Sequence, residues 1–201
     1  MKTLIIVDAQ IDFMPGGALE VQNGDRIVPV INDILPQFEL VVATQDWHPQ
    51  DHKSFAVNHS GKKEFDIIDL NGLQQKLWPP HCVQETRGAE LHQELNTKPI
   101  EAIFRKGMDP EIDSYSGFFD NGHKKSTGLS GYLREKGATE LYFCGLAADI
   151  CVYFSLLDAL KEGFSATLIE DAAMPLLPDE FFRIKENIVA QGGKIVTSAE
   201  L

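Results

Sequence analysis

The sequence has few cysteines, few basic residues and no long apolar run. Its three cysteines, Cys82, Cys144 and Cys151, form an odd set, so we expect reduced thiols and a cytoplasmic location. Eighteen Lys and Arg against 30 Asp and Glu give a net charge of −12, which argues against nucleic acid or an anionic membrane as a partner. No apolar run approaches the ~20 residues that cross a bilayer, which excludes membrane insertion.

Length and composition predict one globular domain over residues 1–201. The chain has 201 residues, and 43% of them are hydrophobic, which is enough for a substantial core without a second domain. It carries no low-complexity tract and no internal repeat. The opening residues, MKTLIIVDAQ, predict a buried strand rather than a signal peptide.

Short, continuously apolar runs recur along the chain and predict strands. They are LIIV (4–7), LVVAT (40–44), AIF (102–104), LYFCGL (141–146), ATLI (166–169) and KIV (194–196). Continuous hydrophobicity indicates strands that are covered on both faces. Helical periods with one apolar face lie between several of them, at about 27–35, 150–160 and 181–188. This alternation predicts an α/β fold: a three-layer α/β/α sandwich with a mainly parallel six-stranded sheet.

One segment, at about 46–98, breaks the alternation of strands and helices. It carries most of the histidines, several Gly and Pro residues and little strand character. A long irregular segment inside a compact domain is usually functional or mobile. We expect this one to cover the carboxyl edge of the sheet and to bind a metal.

Three of the predicted strands lead into residues of complementary chemistry. Asp8 follows LIIV, Lys106 follows AIFR, and Cys151 follows LYFCGLAADI. The carboxyl ends of parallel strands line one crevice, so these side chains are expected in a single pocket. An ammonium and the amino end of a helix starting near Asp149 would favour the nucleophilic thiolate. Asp8 would then move protons to and from the reacting group.

Each of these residues also has an ordinary structural interpretation. Asp8 could cap a turn, and Lys106 could lie on the surface. A cysteine in apolar surroundings is more often a packing residue, and we assign that role to Cys144 in the middle of its strand. Cys151 differs because it follows a strand-to-helix turn whose free N–H groups can bind an anion.

Two motifs in the irregular segment carry metal-ligand chemistry. The string DWH runs from Asp46 to His48, and WPPHC contains His81. Side chains alternate along an extended chain, so Asp46 and His48 point to the same side. With His81 they would form a facial His₂Asp set with open positions, which suits Zn²⁺ or Fe²⁺, with Mn²⁺ as a further candidate. The alternative is that these side chains face solvent.

The remaining histidines are predicted not to bind the metal. They are His52, His59, His92 and His123. The first exception to consider is His52, because it lies near His48 in the sequence. For Cys82 we favour packing, because adjacent side chains of an extended chain diverge and His81 is the better ligand.

Several longer strings resemble the nicotinamidase branch of the isochorismatase-like cysteine hydrolases. They are VDAQIDFMPGGAL, TQDWHPQDHKSFA, LWPPHCVQETRGAEL, FRKG followed by YSGF, and GLAADICV. The resemblance runs through most of the chain. Relatives in the wider superfamily that act on other substrates generally lack the metal-bearing strings. An isochorismatase-like, Rossmann-like fold is what the resemblance implies.

The function implied by the resemblance is metal-dependent amide hydrolysis in NAD salvage. Nicotinamide would be converted to nicotinate and ammonia through a thioester, and pyrazinamide is a further expected substrate. One divalent metal ion is the implied cofactor. The implied catalytic residues are Asp8, Lys106 and Cys151, and the implied metal ligands are Asp46, His48 and His81.

The resemblance also implies a particular backbone at the cysteine turn. A cis peptide between Leu146 and Ala147 would aim the N–H groups of Ala147 and Cys151 at one point, where they would form an oxyanion hole. We further expect Phe13, Trp78 and Tyr115 to pack around the substrate ring. Phe13 and Trp78 would equally serve as ordinary core residues.

Two rival functions stay open at this point. One is a cysteine hydrolase of the same fold that acts on another amide or carbamoyl group, with the metal absent or structural. The other is a non-catalytic metal-binding or thiol-sensing protein, although no second cysteine forms a C-x-x-C pair with Cys151. The expected partner is a small aromatic amide, and a homo-oligomer is compatible with the sequence.

Overall fold

Strands from the whole length of the chain form one sheet in the computed structural model, which describes residues 1–201. The strands are β1 (Lys2–Val7), β2 (Leu40–Asp46), β3 (Ile67–Leu70), β4 (Leu73–Lys76), β5 (Ile100–Lys106), β6 (Glu140–Leu146), β7 (Ser165–Met174) and β8 (Lys194–Val196). Six of them pair in parallel in the order β5-β2-β1-β6-β7-β8. All six strands predicted from apolar runs are present in this sheet.

Four helices cover the two faces of the sheet. They are α1 (Ile27–Ile34), α2 (Leu129–Glu135), α3 (Tyr153–Lys161) and α4 (Pro178–Ala190). The predicted helical periods correspond to α1, α3 and α4, whereas α2 is a short helix that the apolar pattern did not indicate. None of the four is long and apolar enough to cross a membrane.

Alternate side chains of the central strand β1 enter two separate apolar cores. Leu4 and Ile6 pack in the core that contains α1, and Ile5 and Val7 pack in the core that contains α2, α3 and part of α4. All four side chains are fully buried, and burying such a side chain contributes about 1.5–3 kcal/mol. The predicted three-layer α/β/α sandwich is therefore confirmed.

The irregular segment at 46–98 contains one regular feature that the sequence analysis did not anticipate. Strands β3 and β4 pair antiparallel as a separate hairpin. Its two-residue turn is Asn71-Gly72, and both residues have positive φ, 55° and 85°. Asn-Gly is the preferred pair for such a turn. These two four-residue strands leave the segment with little strand character, as expected, and the Asn-Gly turn was the signal that could have indicated them.

Strand order brings four chain segments together at one edge of the sheet. Because β5, β2, β1 and β6 are neighbours, their carboxyl ends meet, as expected at a parallel sheet. Asp46 and Lys106 are direct partners in the ladder between β2 and β5. Asp8 follows the end of β1 directly, and Leu146 ends β6. The functional side chains predicted from distant parts of the sequence therefore share one edge.

Candidate active site

Asp8, Lys106 and Cys151 meet in the interior at the carboxyl edge of the sheet. The Lys106 Nζ lies 2.9 Å from Asp8 Oδ2 and 3.4 Å from Cys151 Sγ. None of the three is more than 6% exposed. Their convergence excludes the surface interpretation of Lys106. Cys144, by contrast, is fully buried in β6, with only the Ile5 carbonyl in hydrogen-bond range of its sulfur, which fits the packing role predicted for it.

Lys106 also holds the carboxylate of Asp46. Its Nζ donates to Asp46 Oδ1 at 2.6 Å and to the Ser114 carbonyl at 3.0 Å. Burial acts to raise the pKa of Asp46, but Lys106 and His48 lower that pKa well below its usual value. Asp46 is therefore ionised. The Lys106 ammonium therefore contacts both the pair Asp8 and Cys151 and the candidate metal ligand Asp46.

Asp8 has the electrostatic surroundings of a group that exchanges protons. Burial raises the pKa of its carboxyl group, and the attraction of Lys106 and a 2.6 Å hydrogen bond from Thr44 Oγ1 offset only part of that rise. A buried carboxyl group with a raised pKa can act as acid and as base near neutral pH. One oxygen of Asp8 lies within 4.8 Å of the Cys151 sulfur.

Burial opposes the thiolate form of Cys151 that Lys106 favours. Burial raises the pKa of the thiol well above its usual value, Lys106 lowers it only in part, and Asp8 and Asp46 raise it further. The helical segment starts close to the predicted position: a π-helical turn spans Ala148–Val152 and runs directly into the α-helix at Tyr153. Cys151 lies in this first turn.

The turn that carries Cys151 has the backbone features expected from the resemblance. The peptide between Leu146 and Ala147 is cis. The amides of Ile150 and Val152 both donate to the Ala147 carbonyl at 3.1 Å, whereas the Ala147 amide has no acceptor within the protein. Asp149 anchors the turn to the chain after β7, because its carboxylate accepts hydrogen bonds from the backbone amides of residues 176 and 177 at 2.8 Å.

Asp46, His48 and His81 form a compact group of potential metal ligands. The Nε2 atoms of His48 and His81 lie 3.4 and 3.7 Å from Asp46 Oδ2. Ligands placed about 2.1 Å from a common ion are separated by roughly 3.0–3.5 Å, so these spacings are close to those of a metal site. All three residues are buried.

The hydrogen bonds of the two histidines fix which ring nitrogen carries the lone pair. His48 Nδ1 lies 2.9 Å from the Gly107 carbonyl, and His81 Nδ1 lies 2.8 Å from the Pro79 carbonyl. A carbonyl only accepts, so both Nδ1 atoms carry the proton and both Nε2 atoms are free to ligate. Two nitrogen lone pairs and a carboxylate then face one another, an arrangement that a cation would stabilise. The donor set therefore fits Zn²⁺ or another divalent metal of similar preference.

Neighbouring groups position the ligands. The Gln10 amide group pairs with the backbone of Asp46, donating to its carbonyl and accepting from its N–H, both at 2.8 Å. Gly107 approaches the His48 ring so closely that an added Cβ would lie 2.3 Å from it. Asp12 accepts the amide of Cys82 at 2.7 Å and so fixes the chain after His81.

No other histidine forms an ion pair with Asp46 as His48 and His81 do. His59 Nε2 bonds the Lys53 carbonyl at 2.7 Å, and the His123 ring stacks on Phe119 at the surface. His52 is the exception that the sequence suggested, because its ring lies 4.5 Å from that of His48. Burial lowers the pKa of His52 to about 4, so it is neutral at pH 7. Cys82 is buried and packs in the core, outside every group of potential ligands.

A small apolar cavity lies between the cysteine group and the metal ligands. Its volume is about 20 Å³. It is lined by Phe13, Leu19, Val21, Asp46, Trp78, His81, Asp113, Tyr115, Ala147, Ile150, Cys151 and Leu176. The three aromatic residues expected around a substrate ring are all in this wall. Trp78 and Tyr115 contact each other edge to face, with their ring centres 6.2 Å apart.

Four residues of the site were not identified from the sequence: Thr44, which bonds Asp8, Gln10, which holds Asp46, and the pair Gln75 and Asp113. Gln75 Nε2 donates to Asp113 Oδ2 at 2.9 Å and lies 3.3 Å from the Tyr115 hydroxyl. Thr44 could have been found, because it ends the apolar run of β2 beside Asp8. Gln10, Gln75 and Asp113 gave no signal of their own.

The chain matches the family model described as Isochorismatase domain over residues 2–200. It is 48% identical to the nicotinamidase of Acinetobacter baylyi over 84% of this chain and 79% of that protein. It is 42% identical to the nicotinamidase of Escherichia coli over 99% of this chain and 96% of that protein. These identities extend over nearly the whole sequence.

Solved structures give the same relationship. A nicotinamidase and pyrazinamidase of Acinetobacter baumannii superposes with a TM-score of 0.96 at 44% identity, covering 99% of this chain and 97% of that one. A Leishmania infantum protein in complex with nicotinate has a TM-score of 0.88 at 38% identity, with 99% and 93% covered. The Pyrococcus horikoshii pyrazinamidase in complex with zinc has a TM-score of 0.81 at 38% identity, with 98% of both chains covered. On the family match and these identities, the chain belongs to the isochorismatase domain family.

Proposed function

We propose that the chain is a nicotinamidase, an amidohydrolase that converts nicotinamide to nicotinate and ammonia, as in NAD salvage. One observation carries the proposal: a single cavity is lined at once by Cys151, by the ligand pair Asp46 and His81, and by aromatic rings. A nucleophile, a cation site and a flat apolar wall are what a ring-bearing amide requires. The names of the relatives in three genera point to the same substrate class.

Cys151, Asp8 and Lys106 would carry out the hydrolysis. Asp8 accepts the thiol proton as Cys151 Sγ attacks the amide carbon, and it gives that proton to the departing nitrogen, so that ammonia leaves and a thioester forms. Asp8 then takes a proton from a water molecule while the oxygen of that water attacks the thioester carbon. Breaking the C–S bond returns a proton to the sulfur and releases nicotinate.

Lys106 would act through charge and position. Its ammonium faces Asp8, Asp46 and Cys151 together. It therefore stabilises negative charge that moves between the carboxylate of Asp8 and the sulfur of Cys151. Burial alone acts to lower the pKa of Lys106, but Asp46 and Asp8 raise it well above its usual value. Lys106 therefore stays protonated throughout the cycle.

The backbone amides of Ala147 and Cys151 would hold the oxygen of the tetrahedral intermediate. The Ala147 amide, which has no acceptor within the protein, is the observation that supports this role. A preorganised donor of this kind contributes roughly 3 kcal/mol to the stability of a transition state.

A divalent metal would be held by Asp46, His48 and His81. When bound, it would supply a positive charge and an open coordination position for the nitrogen of a pyridine-type ring. The His₂Asp donor set suits Zn²⁺ or Fe²⁺, with Mn²⁺ as a further candidate, and zinc is the metal of the Pyrococcus neighbour. Phe13, Trp78 and Tyr115 would pack around the ring and aim the amide at Cys151.

The substrate would enter past the aromatic wall. The cavity of about 20 Å³ is far below the ~300 Å³ at the low end of ligand pockets, so side chains have to move to admit a ring. Trp78, Tyr115 and Ile150 separate this cavity from an outer groove of about 240 Å³. These shared residues are the wall that would open.

Further features of the proposal follow from the same site. Pyrazinamide keeps a ring nitrogen and a neighbouring amide, so we expect it to be hydrolysed to pyrazinoate. A cytoplasmic location is supported by the three free cysteines. Residues 1–201 would act as one catalytic domain whose partner is the small amide rather than nucleic acid or membrane. A homo-oligomer stays a prediction.

The proposal is tested by measuring ammonia and nicotinate released from nicotinamide by the purified protein. We expect both products in equal amounts, with none from the Cys151→Ala variant. Release should fall after treatment with a chelator and return when Zn²⁺, Fe²⁺ or Mn²⁺ is added. A metal-loaded protein that releases no ammonia from nicotinamide or pyrazinamide would contradict the proposal.

A further inference from the structure

A second group of buried polar side chains lies next to the candidate metal ligands. A ring nitrogen of His48, a ring nitrogen of His52 and a carboxylate oxygen of Asp113 lie within 4.8 Å of one another. Of these residues, only His48 is a ligand in the proposed metal site. His52 is fully buried, and Asp113 is 3% exposed. The mechanism described above uses neither residue, and burying both without a purpose would be unfavourable.

The hydrogen bonds of His52 show that it differs from the two ligand histidines. The backbone N–H of Ser54 donates to His52 Nδ1 at 3.1 Å, and the Ser54 hydroxyl lies 2.7 Å from the same atom. An atom that accepts a backbone N–H carries no proton, so in neutral His52 the proton is on Nε2. This Nε2–H has no hydrogen-bond partner in the protein. His48 and His81 direct a lone pair at Asp46, whereas His52 directs a donor.

Asp113 supplies an acceptor and a negative charge beside this donor. Its Oδ1 accepts the amide of Ser114 at 2.7 Å, and its Oδ2 accepts Gln75 Nε2 at 2.9 Å. Each carboxylate oxygen retains a second lone pair. No Lys, Arg or His lies within ion-pairing distance of Asp113, and Lys106 is already shared by Asp8 and Asp46. Lys106 is shared by Asp8 and Asp46 while Asp113 has no cationic partner, and a divalent cation would balance the excess negative charge.

We propose that His52 and Asp113 strengthen the binding of the divalent cation without ligating it. A water molecule carried by the cation would accept the Nε2–H of His52 and donate to the Asp113 carboxylate. The charge of Asp113 would add to that of Asp46. This inference rests on the proposed metal site and extends it, because it assigns roles to two residues outside the ligand set.

The proposal is tested by titrating metal-free protein with Zn²⁺ and measuring the dissociation constant by competition with a chromophoric chelator. Removing a group that supports a metal ligand typically weakens binding about 10- to 100-fold, and we expect that loss for Asp113→Asn and for His52→Phe. His52→Gln keeps an N–H donor and should bind within about threefold of the wild type. Asp158→Asn and His59→Gln are matched controls away from the site and should bind as the wild type does.

The His52→Gln variant separates a donor from a ligand. If His52 were a direct ligand, Gln and Phe would weaken binding equally, and the absorption bands of the Co²⁺-loaded protein would change in both variants. In our account the Co²⁺ bands of His52→Gln match those of the wild type. Equal losses, or no loss in Asp113→Asn and His52→Phe, would overturn the inference.

Two further measurements keep the outcomes distinct. Thermal unfolding of each metal-free variant shows whether it is folded, and Asp113→Ser, which retains an acceptor for the Ser114 amide, replaces Asp113→Asn if that variant does not fold. Wild-type protein that binds no Zn²⁺, Fe²⁺ or Mn²⁺ would remove the metal site itself and this inference with it. Normal binding by the wild type and by every variant would overturn only the roles of His52 and Asp113.

Discussion

The site has two halves that differ in how they are held in place. The cysteine half consists of Asp8, Lys106 and Cys151, and the metal half consists of Asp46, His48 and His81. Lys106 ends β5 and Asp8 follows β1, two parallel strands with β2 between them, and Cys151 follows β6, the neighbour of β1 on its other side. His81 belongs instead to a segment without a sheet strand: its Nδ1 donates to the Pro79 carbonyl, and the amide of Cys82, the next residue, donates to Asp12. The cysteine half is therefore held by the strand ladder, and so is Asp46 at the end of β2, whereas His81 depends on individual contacts.

The largest expected effect concerns the nucleophile. Cys151→Ala should reduce nicotinamide hydrolysis by at least about 10⁴-fold, because no other group can form the thioester. Cys144→Ala is the matched control, since it removes a buried thiol from the same strand-and-turn unit without touching the pocket. We expect that control to keep its activity and to lose about 1 kcal/mol of unfolding free energy. Initial rates and urea unfolding measure both effects, and residual activity in Cys151→Ala would contradict the assigned nucleophile.

A second prediction concerns the one residue that belongs to both halves. Lys106→Met leaves Asp8 and Asp46 buried without their ammonium and should lower the free energy of unfolding by about 3–5 kcal/mol. Urea unfolding beside Lys161→Met, a change at an exposed lysine, measures the difference. A loss no larger than that of the control would contradict the shared role of Lys106.

The same variant gives a pH test of the cysteine half. Burial raises the pKa of Cys151, and Lys106 acts to lower it, so removing the ammonium must raise the pKa further. The rate of alkylation of Cys151 by iodoacetamide in metal-free protein should then rise at higher pH in Lys106→Met than in the wild type. Mass spectrometry of the modified cysteine follows this rate. An unchanged pH profile would leave Lys106 with a structural role only.

Metal binding should stabilise the metal half of the site more than the cysteine half. Zn²⁺ at 100 times its dissociation constant should add about 2.7 kcal/mol to the free energy of unfolding. Amide hydrogen exchange should slow in residues 77–84 around His81 and stay unchanged in β1. Asp46→Asn should abolish both responses. Uniform protection of the whole chain would show that the two halves are not held differently.

The smallest expected effect concerns the pocket wall. Tyr115→Phe removes a hydroxyl that Gln75 Nε2 approaches only to 3.3 Å, a distance at which a hydrogen bond is weak. The KM for nicotinamide should change by less than about fivefold, equivalent to ~1 kcal/mol. Trp78→Ala removes most of the ring contact and should raise KM more. Equal effects of the two changes would mean that the hydroxyl, rather than the aromatic surface, contacts the substrate.

The structure brings together the residues that the sequence analysis assigned to the cysteine half and those that it assigned to the metal half. Apolar runs of three to six residues determine which strands are buried, and the geometry of parallel sheets then determines where Asp8 and Lys106 meet. The spacing of Asp46 and His48 followed from the two-residue period of an extended chain. These are local or topological rules, so one sequence is enough to apply them.

Other features depend on contacts that no local rule describes. Gln10 bonds the backbone of Asp46, and Asp113 accepts from Gln75, across separations of 36 and 38 residues. The pKa of Cys151 depends on how completely the thiol is buried as well as on Lys106, and the sequence does not show that burial. The β3–β4 hairpin was missed because both of its strands are short and half exposed, although Asn71-Gly72 marked the turn.

The central claim is that both halves act on the same molecule, and comparing nicotinamide with benzamide tests it most directly. The two amides differ only in the ring nitrogen, so the metal half can bind the first but not the second. Hydrolysis of both should be measured in metal-loaded and metal-stripped protein. Our account predicts that stripping the metal abolishes the preference for nicotinamide and leaves any slow hydrolysis of benzamide unchanged. A preference that survives metal removal, or benzamide hydrolysis as fast as that of nicotinamide in the loaded enzyme, would contradict it.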